Sequence, residues 1–318
     1  MASVTERLDE SCTCLAFSPY KESAALLAVG GQSRITVKAC HDSSSVGSLL
    51  DSLSLSTVFS LLCGDGVGVS HFSWSPDTAH TEDGSGRYVF CTTGHSHQTI
   101  TVYRCDVDST TTESLPGHTS YINDLTFHPC DSSLLASVGD DRICRVWDLN
   151  EGQVRSEFRL KSPGVAVKWH PQDPAKLLVA EKSGRVRLYD LATEVPIMCL
   201  ETGTAPLMSV DWSPSNSLYV GGVASGSWFV WDVSQSSRPL ECRSVYQGPS
   251  SLFSWCPQSE GVFATVGLGR QLKVHHLGHQ KIPISCDLPV VTDISWHARI
   301  PLLAAAVDKQ LHFWMPEI

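Results

Sequence analysis

The chain has 318 residues, of which 42% are hydrophobic, so it is long enough to bury an extensive core. Its 33 acidic residues exceed its 23 basic ones, and the formal net charge of −10 argues against direct nucleic acid binding through a general electrostatic attraction. The first ten residues, MASVTERLDE, are charged and lack an apolar core, which predicts no secretory signal. The longest strongly apolar stretch, Leu302–Val307, is too short to cross a bilayer, so we expect a soluble intracellular protein without membrane insertion.

In chain order, the predicted elements repeat one unit that begins with a strand ending in an aromatic residue. A turn follows, usually with proline two positions after the aromatic residue, as in Phe17-Ser18-Pro19. From the third copy onward the aromatic residues lie 42, 43, 43 and 41 residues apart, a period that indicates the blades of a β-propeller. The seven aromatic anchors are Phe17, Trp74, Phe127, Trp169, Trp212, Trp255 and Trp296.

The third unit shows the internal strand order most clearly. Its predicted strands, 125–127, 134–138 and 143–148, alternate large apolar with small or polar residues, as strands do when one side faces a blade interior. Three units end their third strand in an aromatic residue followed by aspartate: Trp147-Asp148, Tyr189-Asp190 and Trp231-Asp232. With the upstream pair Gly117-His118 and the period, this is the WD-repeat signature. The sequence therefore resembles the WD-repeat family and predicts an all-β, seven-bladed WD-repeat β-propeller.

We expect residues 1–318 to form a single domain, because seven units use nearly the whole chain. The last unit stops after its third strand, and a short segment near 3–9 precedes the first unit. We therefore predict that this N-terminal segment supplies the outer strand of the seventh blade and closes the ring.

The third unit also contains the members of a buried hydrogen-bond tetrad: His118, Ser137, Asp141 and Trp147. In the WD-repeat blades that it resembles, the aspartate orients the histidine, the histidine meets the serine, and the serine meets the indole N–H. Such a chain is favourable only when every buried polar member is satisfied. Serine, histidine and aspartate also make up a catalytic triad. No G-x-S-x-G elbow surrounds Ser137, however, so we predict a structural tetrad and no catalytic residue.

Neither a metal site nor a cofactor site is predicted. The chain has 12 cysteines but no C-x-x-C pair, and many of them lie in strand-like runs where a reduced thiol packs as a small apolar group. His275 and His276 are neighbours in a predicted strand and point to opposite faces, and no H-E-x-x-H helix is present. The sequence thus predicts a protein that is not an enzyme.

The first two units are longer than the others, because their anchors lie 57 and 53 residues before the next one. We place the extra residues in two insertions, 41–57 and 77–87, which share one rim of the propeller in the predicted strand order. Insertions on one face of a repeat array often mark a binding surface. Surface loops also tolerate extra length at a low cost in free energy, so both interpretations stay open.

Two groups of residues are candidates for contact with a partner protein. Leucines in the first insertion either pack back on the blade or are covered by a partner. Basic residues in the turns between second and third strands are either solvated or face a partner. The candidates are Leu49, Leu50, Leu53, Leu55, Arg142, Lys182 and Arg185.

Several stretches after about Glu113 are not generic repeat features, notably Val179–Lys182 (VAEK) and 275–279 (HHLGH). The resemblance that follows also rests on Leu115–Thr119, Trp169–Pro171, Pro206–Ser209 and Ser295–His297. In these stretches the sequence resembles the small WD-repeat nucleoporins, of about 37 kDa, in the Y-shaped scaffold complex of the nuclear pore. Before residue 113 the resemblance rests mainly on the aromatic anchors.

The resemblance implies a structural component of the nuclear pore complex, located in the nucleus at the nuclear envelope. It implies support of pore assembly, protein transport and mRNA transport, and association with kinetochores in mitosis. The expected partners are the scaffold nucleoporin of about 160 kDa and other subunits of the Y-shaped complex. The chain has no Phe-Gly dipeptide, so a barrier-forming nucleoporin is not expected.

Two other kinds of WD-repeat protein remain as alternatives. Substrate receptors of cullin-type ubiquitin ligases resemble one another in an arginine two residues after Trp-Asp, but this chain has Asn150 and Ser234 there. A reader of histones or other peptides would need an aromatic cage at the mouth of the central channel. Because propellers serve many functions, the fold alone does not choose among these.

Overall fold

The computed structural model describes residues 3–42, 53–63, 68–81, 86–93, 98–106, 109–268, 271–278 and 284–316. Across these residues the regular structure consists of short β-strands and one three-residue 3-10 helix, Lys21–Ser23. The strands form where β-branched and aromatic residues alternate with small ones, and they end at turns rich in Gly, Pro, Asp and Ser. The chain divides into two compact units, one made of Met1–Ser114 with Pro289–Ile318 and the other of Leu115–Leu288.

The first strands of the chain belong to the first unit. They are β1 (Ser3–Arg7), β2 (Cys12–Phe17), β3 (Leu26–Gly31), β4 (Arg34–Asp42), β5 (Leu53–Leu62), β6 (His71–Trp74), β7 (Ala79–His80), β8 (Gly86–Thr93), β9 (Thr99–Cys105) and β10 (Thr110–Pro116), the last of which runs into the second unit. Sheet 1 has the order β2-β3-β4-β5. Sheet 2 has the order β6-β8-β9-β10, with β7 paired to β8.

The second unit holds four antiparallel sheets. Its strands are β11 (Ile122–Phe127), β12 (Leu134–Gly139), β13 (Ile143–Asp148), β14 (Gln153–Arg159), β15 (Gly164–Trp169), β16 (Lys176–Glu181), β17 (Arg185–Asp190), β18 (Val195–Glu201), β19 (Leu207–Trp212), β20 (Tyr219–Ala224), β21 (Ser227–Asp232), β22 (Glu241–Ser244), β23 (Ser250–Trp255), β24 (Val262–Gly267), β25 (Gln271–His276) and β26 (Ile284–Asp287). Each successive set of four strands forms one sheet in chain order, which gives sheets 3 to 6.

The remaining strands of the first unit form sheet 7 with the N-terminal strand. They are β27 (Val291–Trp296), β28 (Leu303–Val307) and β29 (Gln310–Trp314). β1 pairs antiparallel with β29, with Val4 opposite Phe313, and forms the edge of the sheet. The described residues thus form seven sheets, and the predicted all-β, seven-bladed β-propeller fold is confirmed. That residues 1–318 form a single domain stays a prediction.

The aromatic anchors are buried, and two of them bond to a neighbouring sheet of the same unit. All seven expose 6% or less of their surface. The Nε1–H group of Trp169 in sheet 4 donates a hydrogen bond to the Thr126 carbonyl in sheet 3, at 3.1 Å. In the first unit the Nε1–H group of Trp74 donates a hydrogen bond to the Ala16 carbonyl, at 3.0 Å. Each indole therefore fills the space between two sheets and also satisfies its polar atom there.

Aspartates on the inner strands make a second kind of link between sheets. The Oδ2 atom of Asp124 accepts a hydrogen bond from the backbone N–H of Val167 in the next sheet, at 3.0 Å. In the first unit Asp293 accepts in the same way from the backbone N–H of Leu15, at 2.8 Å. Bonds between an ionised carboxylate and a backbone N–H are among the stronger hydrogen bonds, so these residues fix the distance between adjacent inner strands.

Candidate functional site

Sheet 3 brings the four predicted tetrad residues into one hydrogen-bonded chain. The Nε1–H group of Trp147 donates to Ser137 Oγ at 2.8 Å. Ser137 Oγ lies 2.8 Å from His118 Nε2, and His118 Nδ1 lies 2.8 Å from an Asp141 carboxylate oxygen. With the histidine proton on Nδ1, the serine donates to Nε2 and every step of the chain has one donor and one acceptor.

The environment of the tetrad favours a structural role. Ser137 is fully buried and His118 is 5% exposed, so a substrate has no path to the serine hydroxyl in this arrangement. Burial lowers the pKa of His118 below its usual value, which favours the neutral ring. Burial alone would raise the pKa of Asp141, but the hydrogen bond from Arg145 and the nearby His118 hold it below its usual value. The carboxylate therefore stays ionised beneath a neutral imidazole.

Sheet 6 contains a second chain of this kind with different residues. In strand register, His275 and Thr265 take the places that Trp147 and Ser137 have in sheet 3. Thr265 Oγ1 lies 2.9 Å from His275 Nε2 and 2.8 Å from the Tyr246 hydroxyl. Burial lowers the pKa of His275 to about 3, so its ring is neutral at physiological pH. The sequence prediction missed this chain because none of its residues matches the WD-repeat pattern; only the alignment of Thr265 with Ser137 in the repeat could have indicated it.

Sheet 5 lacks such a chain although it carries the Trp-Asp pair. Gly222 occupies the position of Ser137, and among the described residues the buried Nε1–H group of Trp231 has no hydrogen-bond partner. A Cβ atom at Gly222 would lie 2.9 Å from the Ser209 carbonyl oxygen. The close approach of the inner strand therefore excludes a serine here, and the tetrad is absent for a steric reason.

Buried carboxylates fasten the turns of other sheets. Glu181, at the end of β16, is fully buried and accepts hydrogen bonds from the backbone N–H groups of Lys161 and Ser162, each at 2.9 Å. The Arg187 guanidinium pairs with the same carboxylate. Because these partners replace the lost hydration, the buried charge is compensated and the turn before β17 is held to the loop before β15.

The candidate contact leucines divide into two pairs. Leu49 and Leu50 lie outside the described residues. Leu53 and Leu55 lie on β5, half-buried, and pack against the apolar cluster shared by sheets 1 and 7. The described pair therefore packs back on the blade, and contact of these leucines with a partner stays a prediction.

Arg142 and Lys182 lie on the predicted turns of sheets 3 and 4, whereas Arg185 is the first residue of β17 and not a turn residue. Arg142 and Lys182 are exposed, and neither forms an ion pair with a described residue. Arg185 pairs with Glu201, at 3.3 Å. The Arg142 carbonyl accepts a hydrogen bond from the Leu160 backbone at 2.8 Å, so its turn lies against the loop that precedes sheet 4. Two of the three cations are therefore free for a partner.

The two predicted insertions contain more strand than expected. Residues 41–42 belong to β4 and 53–57 to β5, so the ends of the first insertion continue a long hairpin, and 43–52 lie outside the described residues. In the second insertion Ala79 and His80 form β7, which pairs with the start of β8. Leu53–Ser56 (LSLS) alternates apolar and polar residues, so the strand in the first insertion had a sequence signal that the prediction did not use. The two residues of β7 are too few to show a period.

A groove of about 700 Å³ lies on the first unit beside both extensions. The 3-10 helix, the hairpin β4–β5, β7, the turn after β27 and the residue after β29 all contribute side chains to it. We call it the hairpin groove and define it by Lys21, His41, Leu53, His80, Arg299 and Met315.

Other chemistry has little support among the described residues. No group of three or more His, Cys, Asp or Glu side chains in the described ranges is arranged to hold a metal ion. Burial raises the pKa of the Cys14 and Cys144 thiols, so they are inert at physiological pH. No helix in the described part of the chain is long and apolar enough to span a membrane.

Comparison with known proteins gives consistent matches. The family model described as "WD domain, G-beta repeat" matches residues 109–148, the region that contains the tetrad. The chain is 36% identical over 324 aligned residues to nucleoporin Nup37 of Mus musculus, covering 100% of this chain and 98% of that protein. It is 34% identical to nucleoporin Nup37 of Homo sapiens with the same coverage. Nucleoporin Nup37 of Drosophila melanogaster is 33% identical over 77% of this chain and 76% of its own length.

Proposed function

The chain belongs to the Nup37 family of nucleoporins, and from this premise we propose that it is a non-enzymatic scaffold subunit of the nuclear pore complex. In this proposal it is part of the Y-shaped scaffold subcomplex and supports pore assembly and nucleocytoplasmic transport. Its direct partner is the scaffold nucleoporin of about 160 kDa, and it accompanies its complex to kinetochores in mitosis.

The observation that carries the proposal is similarity along the whole chain: the identity to the mouse nucleoporin covers 100% of this chain and 98% of that protein. A match confined to residues 109–148 would indicate only a WD repeat. The alignment over the full length instead extends across every repeat of the chain.

The chemistry of the buried polar residues supports a structural role. Ser137, which a catalytic triad would use as nucleophile, is fully buried and accepts the indole N–H of Trp147 at 2.8 Å. His118 and Asp141 complete that chain and hold the turn between β12 and β13. These residues are therefore accounted for by the stability of sheet 3.

Affinity capture tests the proposal. The tagged chain, expressed at its natural level, should recover scaffold nucleoporins from interphase extract at near-stoichiometric amounts by quantitative mass spectrometry. A tagged WD-repeat protein of unrelated function serves as the control. Recovery of no nucleoporin above that control would contradict the proposal. Recovery in interphase but not from mitotic kinetochore fractions would contradict only the kinetochore part.

A further inference from the structure

The hairpin groove lies where the chain departs from its own repeat. β4 and β5 have 9 and 10 residues, whereas their counterparts β17 and β18 in sheet 4 have 6 and 7. β7 is an additional strand that pairs only with the start of β8. The long hairpin contributes His41 and Leu53 to the groove and β7 contributes His80. The two extensions thus build one concave surface, and its volume of about 700 Å³ is in the range of binding pockets.

The floor of the groove is apolar and fixed. Leu302 is 1% exposed and belongs to the core shared by sheets 1 and 7. Leu53, Ile300 and Met315 are half-buried and pack against that same core. An aliphatic side chain placed here would bury apolar surface without any reorganisation of the floor.

The rim of the groove is cationic. Lys21 and Arg299 are exposed, and the Arg299 guanidinium donates to the Lys21 carbonyl at 2.5 Å, which brings the two residues together. Neither forms an ion pair with a described residue, and Glu22 is the one acidic residue among the described lining. The chain as a whole carries a net charge of −10, so this rim has the opposite sign to the chain's net charge.

The histidines of the groove are held by neighbours. His41 Nε2 lies 2.7 Å from Ser56 Oγ, and His80 Nδ1 lies 2.9 Å from the Tyr88 hydroxyl. These contacts hold both rings at the edge of the groove. The rim therefore presents two basic side chains and two imidazole rings.

We propose that the hairpin groove receives an extended acidic and aliphatic segment of the scaffold nucleoporin that binds this chain. An aliphatic side chain of the segment lies on Leu53, Ile300 and Met315, and a neighbouring carboxylate binds Lys21 and Arg299. The inference rests on the proposed function and adds the surface and the chemistry of recognition. An apolar floor under only two free cations fits a peptide better than a polyphosphate chain, which would need a longer basic track.

The test uses the full-length tagged chain in cell extract. Lys21→Glu with Arg299→Glu reverses the rim charge on exposed side chains and should lower the recovery of scaffold nucleoporins at least about tenfold. Arg155→Glu with Arg159→Glu makes the same charge change on exposed positions of β14 and should leave recovery unchanged. Equal thermal midpoints of both double variants and the unmodified chain verify that folding is intact.

A photo-crosslinker identifies the occupant. Lys21→p-benzoylphenylalanine should crosslink to a scaffold nucleoporin, at a peptide that contains aspartate or glutamate beside leucine, isoleucine or valine. Unchanged recovery with the reversed rim, or a crosslink to a basic segment, nucleic acid or a second copy of this chain, would overturn the inference while the proposed function stands. If the unmodified chain recovers no nucleoporin, both the proposed function and this inference fail.

Discussion

Replacement of Ser137 by alanine tests the physical account of the tetrad. The hydroxyl is the shared partner of the Trp147 indole N–H and of His118 Nε2, both at 2.8 Å. Ser137→Ala leaves two polar groups unpaired at positions that are 2% and 5% exposed, where water does not replace the lost partner. An unsatisfied buried group costs about 1–3 kcal/mol, so the free energy of unfolding should fall by about 2–4 kcal/mol.

The assay is thermal and urea unfolding of the full chain. For a protein of this size each kcal/mol shifts the thermal midpoint by about 2 °C, so we expect a decrease of about 4–8 °C. Ser183→Ala makes the same chemical change on an exposed turn and should leave the midpoint within about 1 °C. A Ser137→Ala midpoint equal to that of the Ser183→Ala control would refute the claim that the tetrad is a satisfied, stabilising network.

Three further predictions concern other buried polar groups. Glu181→Gln removes the carboxylate charge that binds Arg187 and two backbone N–H groups, and it should lower the free energy of unfolding in urea by about 3 kcal/mol or more. A loss below about 1 kcal/mol would contradict the claim that Glu181 holds the turn before β17 in place. Burial lowers the pKa of His275 to about 3 in the folded chain. At a pH between this pKa and the higher pKa of the unfolded chain, the unfolded state therefore binds more protons than the folded state. The free energy of unfolding should therefore decrease as pH falls from 7 to 5, and His275→Gln should flatten this slope by up to about 1.4 kcal/mol per pH unit; an unchanged slope would show that His275 does not contribute. Gly222→Ser should destabilise the chain rather than satisfy Trp231, because its Cβ would lie 2.9 Å from a backbone oxygen, and a raised thermal midpoint would disprove this steric reason.

The period of the aromatic anchors predicted the fold because one physical task recurs at each copy. Trp169 must fill the space between two sheets, and a large planar side chain at a constant spacing is visible in the sequence. The inter-sheet bond of Asp124 was not predicted, since an aspartate in a strand has no periodic pattern that distinguishes it from a solvated one. The number of blades was therefore predictable, whereas the polar links between them were not.

The candidate site was predictable only where its residues match a known pattern. His118 and Trp147 belong to a pattern with fixed residue types, but His275 and Tyr246 perform the same task with other chemistry. The sequence analysis named Leu53 and the two insertions as candidates for a binding rim. The cationic part of the hairpin groove had no such signal, because Lys21 and Arg299 lie 278 positions apart and meet only through the packing of sheets 1 and 7. Recognition of such a surface requires the three-dimensional structure.

In the function that we propose, this chain exists in the cell as a bound subunit of the pore scaffold. Size-exclusion chromatography of native interphase extract, read with an antibody to the chain, measures this directly. We expect most of the chain to elute together with scaffold nucleoporins, far above its own mass of 34.6 kDa. Elution of most of the chain at the mass of a free monomer, apart from all nucleoporins, would contradict it.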